Sequence, residues 1–297
     1  MNCFFRERLN SYFPHLIALF TVSVWGSTFV STKLLLQEGL TPSDIFFYRF
    51  LLGYVLIWFC VPRPVFARSL RDEAVLLLGG VTGGSLYFLT ENMALTYSMA
   101  SNVSLIVCTT PLLTMLLLSL LYKSERMGRK QWLGSLVACV GMALVVLNGH
   151  FILKLSPLGD LLALAAAALW ACYGLALKML EGRYSSLFVT RKVFFYGLVT
   201  VLPAFLYSPL SVDWDVLSRP IVWGNLLFLG AVASMLCYFL WNIVVARLGA
   251  VRATNYIYFN PLVAVVVSFF VLDEHITWVA LLGGALILWG MYGAERR

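Results

Sequence analysis

The feature that most constrains this chain is a succession of apolar stretches, each about 20 residues long and divided by short polar breaks. A helix of about 20 apolar residues crosses a hydrocarbon core of about 30 Å, and only helices or closed barrels satisfy every backbone polar group there. Of the 297 residues, 61% are hydrophobic and 12% charged, too apolar for an ordinary soluble domain. The expected fold class is an all-α integral membrane protein. Apolar windows predict ten transmembrane helices, at about 13–36, 42–61, 73–95, 99–122, 130–147, 156–179, 185–208, 220–245, 250–271 and 276–293. The breaks "EGLTPSD", "VPRP", "KLSPLGD" and "SRP" carry turn residues. The first stretch follows "FRER" without a small-residue cleavage site, so it is expected to be an uncleaved span.

Cations orient the spans. With a cytoplasmic N-terminus, the inner segments hold Arg6, Arg8, Arg63, Arg68, Arg71, Lys123, Arg126, Arg129, Lys130, Arg183, Arg247, Arg252, Arg296 and Arg297, while the outer ones hold Lys154 and Arg219. That asymmetry predicts a multi-pass protein of the cytoplasmic membrane with both termini cytoplasmic. The net charge of +7 has no clustered basic face behind it, so nucleic acid is not an expected partner. Cys3, Cys60, Cys108, Cys139, Cys172 and Cys237 form no CxxC and read as small buried apolar residues.

The two halves match in order. "WGSTFVSTK" (25–33) meets "WACYGLALK" (170–178) at an offset of 145, and "SDIFFYR" (43–49) meets "SSLFVTR" (185–191) at 142. Glu91-Asn92 meets Trp241-Asn242, and Pro111 meets Pro261, both at 150. Gly134, Gly141 and Met142 meet Gly283, Gly290 and Met291 at 149. A unit of five spans crosses an odd number of times, so the two repeats, 1–150 and 151–297, are expected to be inverted, a construction common in secondary transporters.

These residues resemble the EamA family of the drug/metabolite transporter superfamily. The resemblance covers nearly the whole chain and rests on "WGSTFVSTK", on "ALTYSMASNVSLIVCTTPLLTMLLLSLLYKSE" and on "ATNYIYFNPLVAVVVSFFVLDE". It implies a 5+5 helix bundle around a central cavity, exporting small metabolites, often amino acids or related compounds, without ATP.

Depth sorts the candidate residues. At 1.5 Å per residue, Trp25 and Trp170 fall near the midplane, with Thr28 and Tyr173 beside them. The fourth and ninth spans centre on "TTP" (Thr109, Thr110, Pro111) and "FNP" (Phe259, Asn260, Pro261); each proline removes a helical hydrogen bond, so both helices are expected to bend. Tyr87, Tyr238, Tyr256 and Tyr258 lie at similar depth. One reading makes Trp25, Thr28, Tyr87, Thr109, Thr110, Trp170, Tyr173, Tyr238, Tyr258 and Asn260 the lining of a site for an amphipathic solute; the other makes the aromatic rings packing and lipid-facing residues.

Arg49, Glu91, Lys33 and Arg191 are ionisable groups within or at the edges of spans. Arg49 and Glu91 are expected toward the outer face, paired with each other or with Lys33, as a structural ion pair or a titratable gate with Glu91 carrying a proton. Lys33 lies about 12 Å past the midplane. Arg191, Lys192 and Lys178 form an inner group without a carboxylate in a span, and Lys192 and Lys178 are expected to snorkel. "GGVTGG" (79–84) and "GGALILWG" (283–290) predict close helix packing. The letters Asn102-Val103-Ser104 match a glycosylation acceptor but fall inside an expected span.

No GxSxG, HExxH or Walker pattern occurs, and His15, His150 and His275 have no metal-ligand spacing. The sequence therefore predicts a transporter and not an enzyme. It uses no cofactor, and its partners are a small-molecule substrate, the lipid bilayer and protons as coupling ion, in a monomer or homodimer. Uptake or exchange of a sugar or nucleotide derivative is the rival transport reading. A membrane-embedded enzyme or sensor is the rival from another class.

Overall fold

The computed structural model describes residues 2–60, 66–98, 100–122, 128–147, 156–180, 182–210, 212–263, 266–267 and 277–295. Expectations on Arg63, Lys123, Arg126, His150, Lys154, His275, Arg296 and Arg297 lie outside the described residues, as do those on the side chains of Cys3, Arg6, Arg8 and Asn102 and most of the ninth span beyond 263. The described secondary structure is helical throughout: α1 (Asn2–Gln37), α2 (Pro42–Cys60), α3 (Leu70–Gly80), α4 (Leu86–Tyr97), α5 (Ala100–Val107), α6 (Thr110–Leu121), α7 (Arg129–Leu147), α8 (Pro157–Leu180), α9 (Ser186–Val201), α10 (Trp214–Leu217), α11 (Pro220–Leu227), α12 (Cys237–Leu248), α13 (Ala250–Asn255) and α14 (Trp278–Glu295).

Among the described residues, seven segments are long and apolar enough to cross a membrane: Tyr12–Gln37, Pro42–Cys60, Leu70–Tyr97, Val103–Leu121, Pro157–Leu180, Ser186–Leu206 and Pro220–Leu248; Leu281–Gly293 is a shorter apolar helix. Their outer surfaces carry exposed Phe59, Leu120, Leu206 and Trp289. Apolar side chains at that density on a surface need an apolar solvent.

Local chemistry sets where the helices start and stop. Gly39 and Gly182 take the left-handed backbone (φ 96° and 74°) just past α1 and α8, the conformation that ends a helix and that a Cβ disfavours. At the start of α2, Thr41 Oγ1 accepts from the Asp44 N–H at 3.2 Å, and Asp44 Oδ2 accepts from the Thr41 N–H at 3.0 Å. Each satisfies a backbone donor that the first turn leaves orphaned.

Several expected spans are interrupted. The third and eighth widen into π-helical turns at Val81–Ser85 and Phe228–Leu236. The fourth breaks at Cys108 and Thr109, ahead of Pro111 in the first turn of α6. Pro111 cannot donate to the Val107 carbonyl, and Thr110 Oγ1 caps that oxygen instead at 2.6 Å. Before Pro261 the chain tightens into a 3-10 turn at Tyr256–Phe259, and the Asn260 N–H takes the Ile257 carbonyl.

Repeat-matched glycines join α7 to α14. A Cβ on Gly290 would stand 2.4 Å from Ala138 N and 2.5 Å from the Gly134 carbonyl, and one on Gly283 would stand 2.5 Å from the Gly141 carbonyl. Backbone meets backbone, the close approach that small residues permit between helices in lipid. The cysteines whose side chains are described are free. Cys108 and Cys237 are buried, Cys139 and Cys172 partly so, and Cys60 is exposed, against expectation, because the last turn of α2 faces outward.

Two polar clusters mark the ends of the bundle. On the face where α3 begins, Asp72 is ion-paired with Arg183 and accepts from Tyr184 Oη at 2.7 Å. Burial first, and then this bond to Asp72, push the Tyr184 phenol above its ordinary range. Glu73 there is ion-paired with Lys192 and accepts from Tyr196 Oη. Lys192 is therefore buried and paired, where snorkelling was expected, because Glu73 sits at the start of α3 and not in the lysine's own helix. At the opposite face, Arg219 Nη1 meets Glu38 Oε2 at 2.7 Å, and Ser98 Oγ donates to Asp160 Oδ1 at 3.4 Å.

Candidate functional site

Helices from both halves of the chain enclose a cavity of about 470 Å³, its mouth included, between α1, α2, α4, α5, α6, α8 and α12. Trp25, Thr28, Arg49, Tyr87, Glu91, Thr110, Trp170, Tyr238 and Asn260 line it, with Phe29, Phe88, Val107 and Ile257. Trp25 and Trp170, matched by the repeat, meet edge to face with ring centroids 5.2 Å apart. Trp241 packs on Trp25 at 5.0 Å, and Tyr87 on Trp170 at 4.8 Å. Offset and edge-to-face contacts of this kind fix ring positions, so the wall is preformed.

Each half holds an aromatic group of the other by a backbone carbonyl. Trp25 Nε1 donates to the Ala233 carbonyl at 2.9 Å, and Tyr238 Oη to the Gly83 carbonyl at 2.5 Å. Positions 83 and 233 are repeat mates at the offset of 150, and each lies in a π-helical turn. Such a turn disturbs the ordinary i to i−4 bonding. The Cys237 N–H, four residues past Ala233, goes to Val232 and Ser234, which leaves the Ala233 carbonyl for the indole.

Charge of both signs reaches the same cavity. Arg49 is buried, lies 4.2 Å over the Phe88 ring and donates from Nε to Ser234 Oγ at 3.0 Å. Glu91 Oε1 accepts from Tyr87 Oη at 2.8 Å. These contacts replace the ion pair expected between them. Both groups line the same cavity as the tryptophans, with the arginine side chain turned to Ser234 and Phe88. Lys33 does not reach Glu91. Its Nζ donates to the Leu95 carbonyl at 2.9 Å, one helical turn (about 6 Å) beyond Glu91 along α4.

The other candidates divide. Thr28 Oγ1 donates to the Trp25 carbonyl at 2.8 Å on the cavity wall. Asn260 lines the cavity with a buried Oδ1 that has no hydrogen-bond partner among the described residues, an orphan acceptor a solute could satisfy. Thr109 stays on its own helix, donating to the Ile106 carbonyl at 2.6 Å. Tyr258 is buried away from the cavity. Tyr173 lies behind Trp170 at 5.2 Å and donates to Asn242 Oδ1 at 2.8 Å, while Asn242 Nδ2 donates to Thr190 Oγ1 at 2.7 Å. Arg191 is buried near Trp58 and Phe188 (5.2 and 5.6 Å), apart from the cavity. Pro111 and Pro261 flank the wall through Thr110 and Asn260.

Sequence reasoning missed Phe29, Phe88, Val107 and Ile257, apolar letters inside apolar runs. Phe88 had a signal, since Tyr238 is its mate at the offset of 150. His15 Nδ1 is hydrogen-bonded with Tyr256 Oη. Among the described residues no group of three His, Cys, Asp or Glu could hold a metal ion.

Comparison with known proteins agrees with this architecture. A solved structure described only as "Crystal structure of protein" superposes with a TM-score of 0.74 at 18% identity, covering 95% of this chain and 96% of that one, a likeness of fold. The chain is 30% identical to a "Probable terminal-alkyne amino-acid exporter" of Streptantibioticus cattleyicolor, over 93% of this chain and 91% of the relative. It is 29% identical to a "Probable amino-acid metabolite efflux pump" of Salmonella typhimurium, over 93% and 92%. An "Uncharacterized transporter" of Archaeoglobus fulgidus is 27% identical over 94% and 96%. These names indicate a multi-pass membrane transporter and not an enzyme. The family model of the EamA-like transporters matches twice, at residues 13–147 and 157–294, and the chain belongs to the EamA-like transporter family.

Proposed function

We propose that the protein is a secondary exporter of an amino acid or a related amphipathic metabolite, working by alternating access through the central cavity. The observation that carries this is one aromatic cavity containing both a guanidinium and a carboxylate, Arg49 and Glu91, with Asn260 Oδ1 unsatisfied. A zwitterion presents a carboxylate to Arg49 and an ammonium to Glu91, while its side chain rests on Trp25, Trp170 and Phe88. A phosphorylated sugar or nucleotide derivative is a poorer match, since the single cation in the wall is opposed by Glu91.

The bundle of this reading has ten spans in two inverted repeats of five, 1–150 and 151–297, in the cytoplasmic membrane with both termini cytoplasmic. The doubled family match and the ordered sequence repeat support it. Glu91 serves as the proton carrier. Flux of labelled amino acids in proteoliposomes, with and without a pH gradient, tests the proposal. Trp25→Ala, Arg49→Met and Asn260→Ala should each lower flux at least about tenfold, the size of one lost charge-assisted or packed contact. No flux of any amino acid, or unchanged flux in all three variants, overturns it.

A further inference from the structure

One widened turn of the second half holds two side chains of the first. In the π-helical turn Phe228–Leu236, the Ala233 carbonyl takes the Trp25 indole, and the next residue, Ser234, accepts from Arg49 Nε at 3.0 Å. Ser234 is fully buried, and its turn is pressed against α2. A Cβ on Gly53, one turn past Arg49, would stand 3.3 Å from the Gly230 carbonyl, and one on Gly230 would stand 2.7 Å from Leu52 Cδ2. Contact this close fixes the hydroxyl relative to the arginine's helix.

What Ser234 does follows from the shape of a guanidinium, whose N–H donors lie in one plane. Nε is engaged by Ser234, and one face of the group lies 4.2 Å over Phe88. The two Nη groups have no hydrogen-bond partner among the described residues, and Arg49 lines the cavity. A fork of that kind matches both oxygens of a carboxylate at once. The repeat supplies a contrast. Arg191 is the mate of Arg49 (offset 142), and Gly84 is the mate of Ser234 (offset 150). Glycine offers no hydroxyl, and Arg191 lies near Trp58 and Phe188, apart from the cavity. Of the two matched arginines, the one whose turn carries a serine is the one that lines the cavity.

We infer that Ser234 is a positioning residue of the central site: by holding Nε it commits the Nη fork of Arg49 to the cavity, and the site thereby selects solutes with a free carboxylate over the same compounds as amides, esters or decarboxylated amines. An amide or ester lacks the second anionic oxygen, and an amine lacks the group altogether, so each leaves a buried cation without its counter-charge. This rests on the exporter reading and adds to it the residue that aims the cation and the group that the solute must carry.

Equilibrium binding to the purified full-length protein tests this. Thermal-shift titrations use each of the protein amino acids and, for every one that binds, its carboxamide. Wild type should bind an amino acid at least about tenfold more tightly than its amide, the worth of a hydrogen bond to a charged group. Ser234→Ala should weaken the amino acid about tenfold and leave the amide within about twofold, so that the preference is lost; a general loosening of the fold would weaken both alike. In an Arg49→Met background Ser234→Ala should add nothing, because the serine acts through the arginine. If Ser234→Ala does not purify as a monodisperse protein, Ser234→Gly, which copies the matched Gly84, is read the same way. An unchanged preference in Ser234→Ala, an equal loss for acid and amide, or a full effect in the Arg49→Met background overturns the inference, while binding by wild type leaves the transport reading standing. No binding of any amino acid refutes that reading instead, and the carboxylate selection with it.

Discussion

Gly83→Ala tests the packing behind the cavity wall. A Cβ on Gly83 would lie 2.5 Å from Cδ2 and Cγ of Tyr173, where ordinary contact begins at 3.4 Å, so the ring must retreat by about 1 Å. Overpacking of this kind costs about 1–3 kcal/mol. The ring is tethered by its 2.8 Å bond to Asn242, and weakening that bond adds about 1 kcal/mol. Together these give about 2–4 kcal/mol against the packed state, a shift of more than tenfold in its population. Gly79, one turn earlier, faces the same ring with its nearest neighbour 3.6 Å away. Gly79→Ala should therefore be silent, or stabilising by up to about 1 kcal/mol through helix propensity. Thermal unfolding in detergent and flux in vesicles are the assays. Gly83→Ala should lower both, and Tyr173→Leu in the same chain should recover much of the stability. Equal effects of Gly79→Ala and Gly83→Ala would refute the reasoning.

On α14, Gly290→Ala should destabilise by about 1–3 kcal/mol, whereas Gly293→Ala, whose Cβ would meet its nearest atom at 3.6 Å, should not; unfolding midpoints of the pair decide. Glu91→Gln should lower solute exchange at equal pH about tenfold, as loss of the ammonium's partner, and should abolish the response of the remaining flux to a pH gradient; a retained response removes Glu91 from proton carriage. Either Glu73→Gln or Lys192→Met alone should cost up to about 3 kcal/mol by stranding a charge in the largely buried pair. The double variant should be the more stable of the three, as a double-mutant cycle would show.

The sequence made the scaffold legible because lipid imposes long apolar windows, and the repeat brought Trp25 and Trp170 forward before their rings were seen in contact. Pro111 likewise marked a helix break. What stayed hidden depends on partners distant in the chain. Lys192 looked like a snorkelling residue because nothing in α9 announces Glu73. An axial count says nothing of where the long side chain of Arg49 turns. "GGVTGG" signalled close packing, which Gly80 and Gly83 provide, but not the widened turn, since a glycine run permits many backbones and selects none. Phe29 and Val107 join the cavity wall through tertiary placement alone.

The paired π-helical turns have a consequence for how this protein tolerates change. The acceptors for the Trp25 indole and the Tyr238 phenol are main-chain oxygens, at Ala233 and Gly83, so they are encoded by the path of the chain and not by the letter at either position. A substitution at 233 that leaves the turn intact keeps the bond. One that restores ordinary helical winding several residues away removes it without touching either partner. Positions that look silent in an alanine scan can therefore control the wall of the cavity, and the rings can be repositioned by inserting or deleting a single residue in either turn.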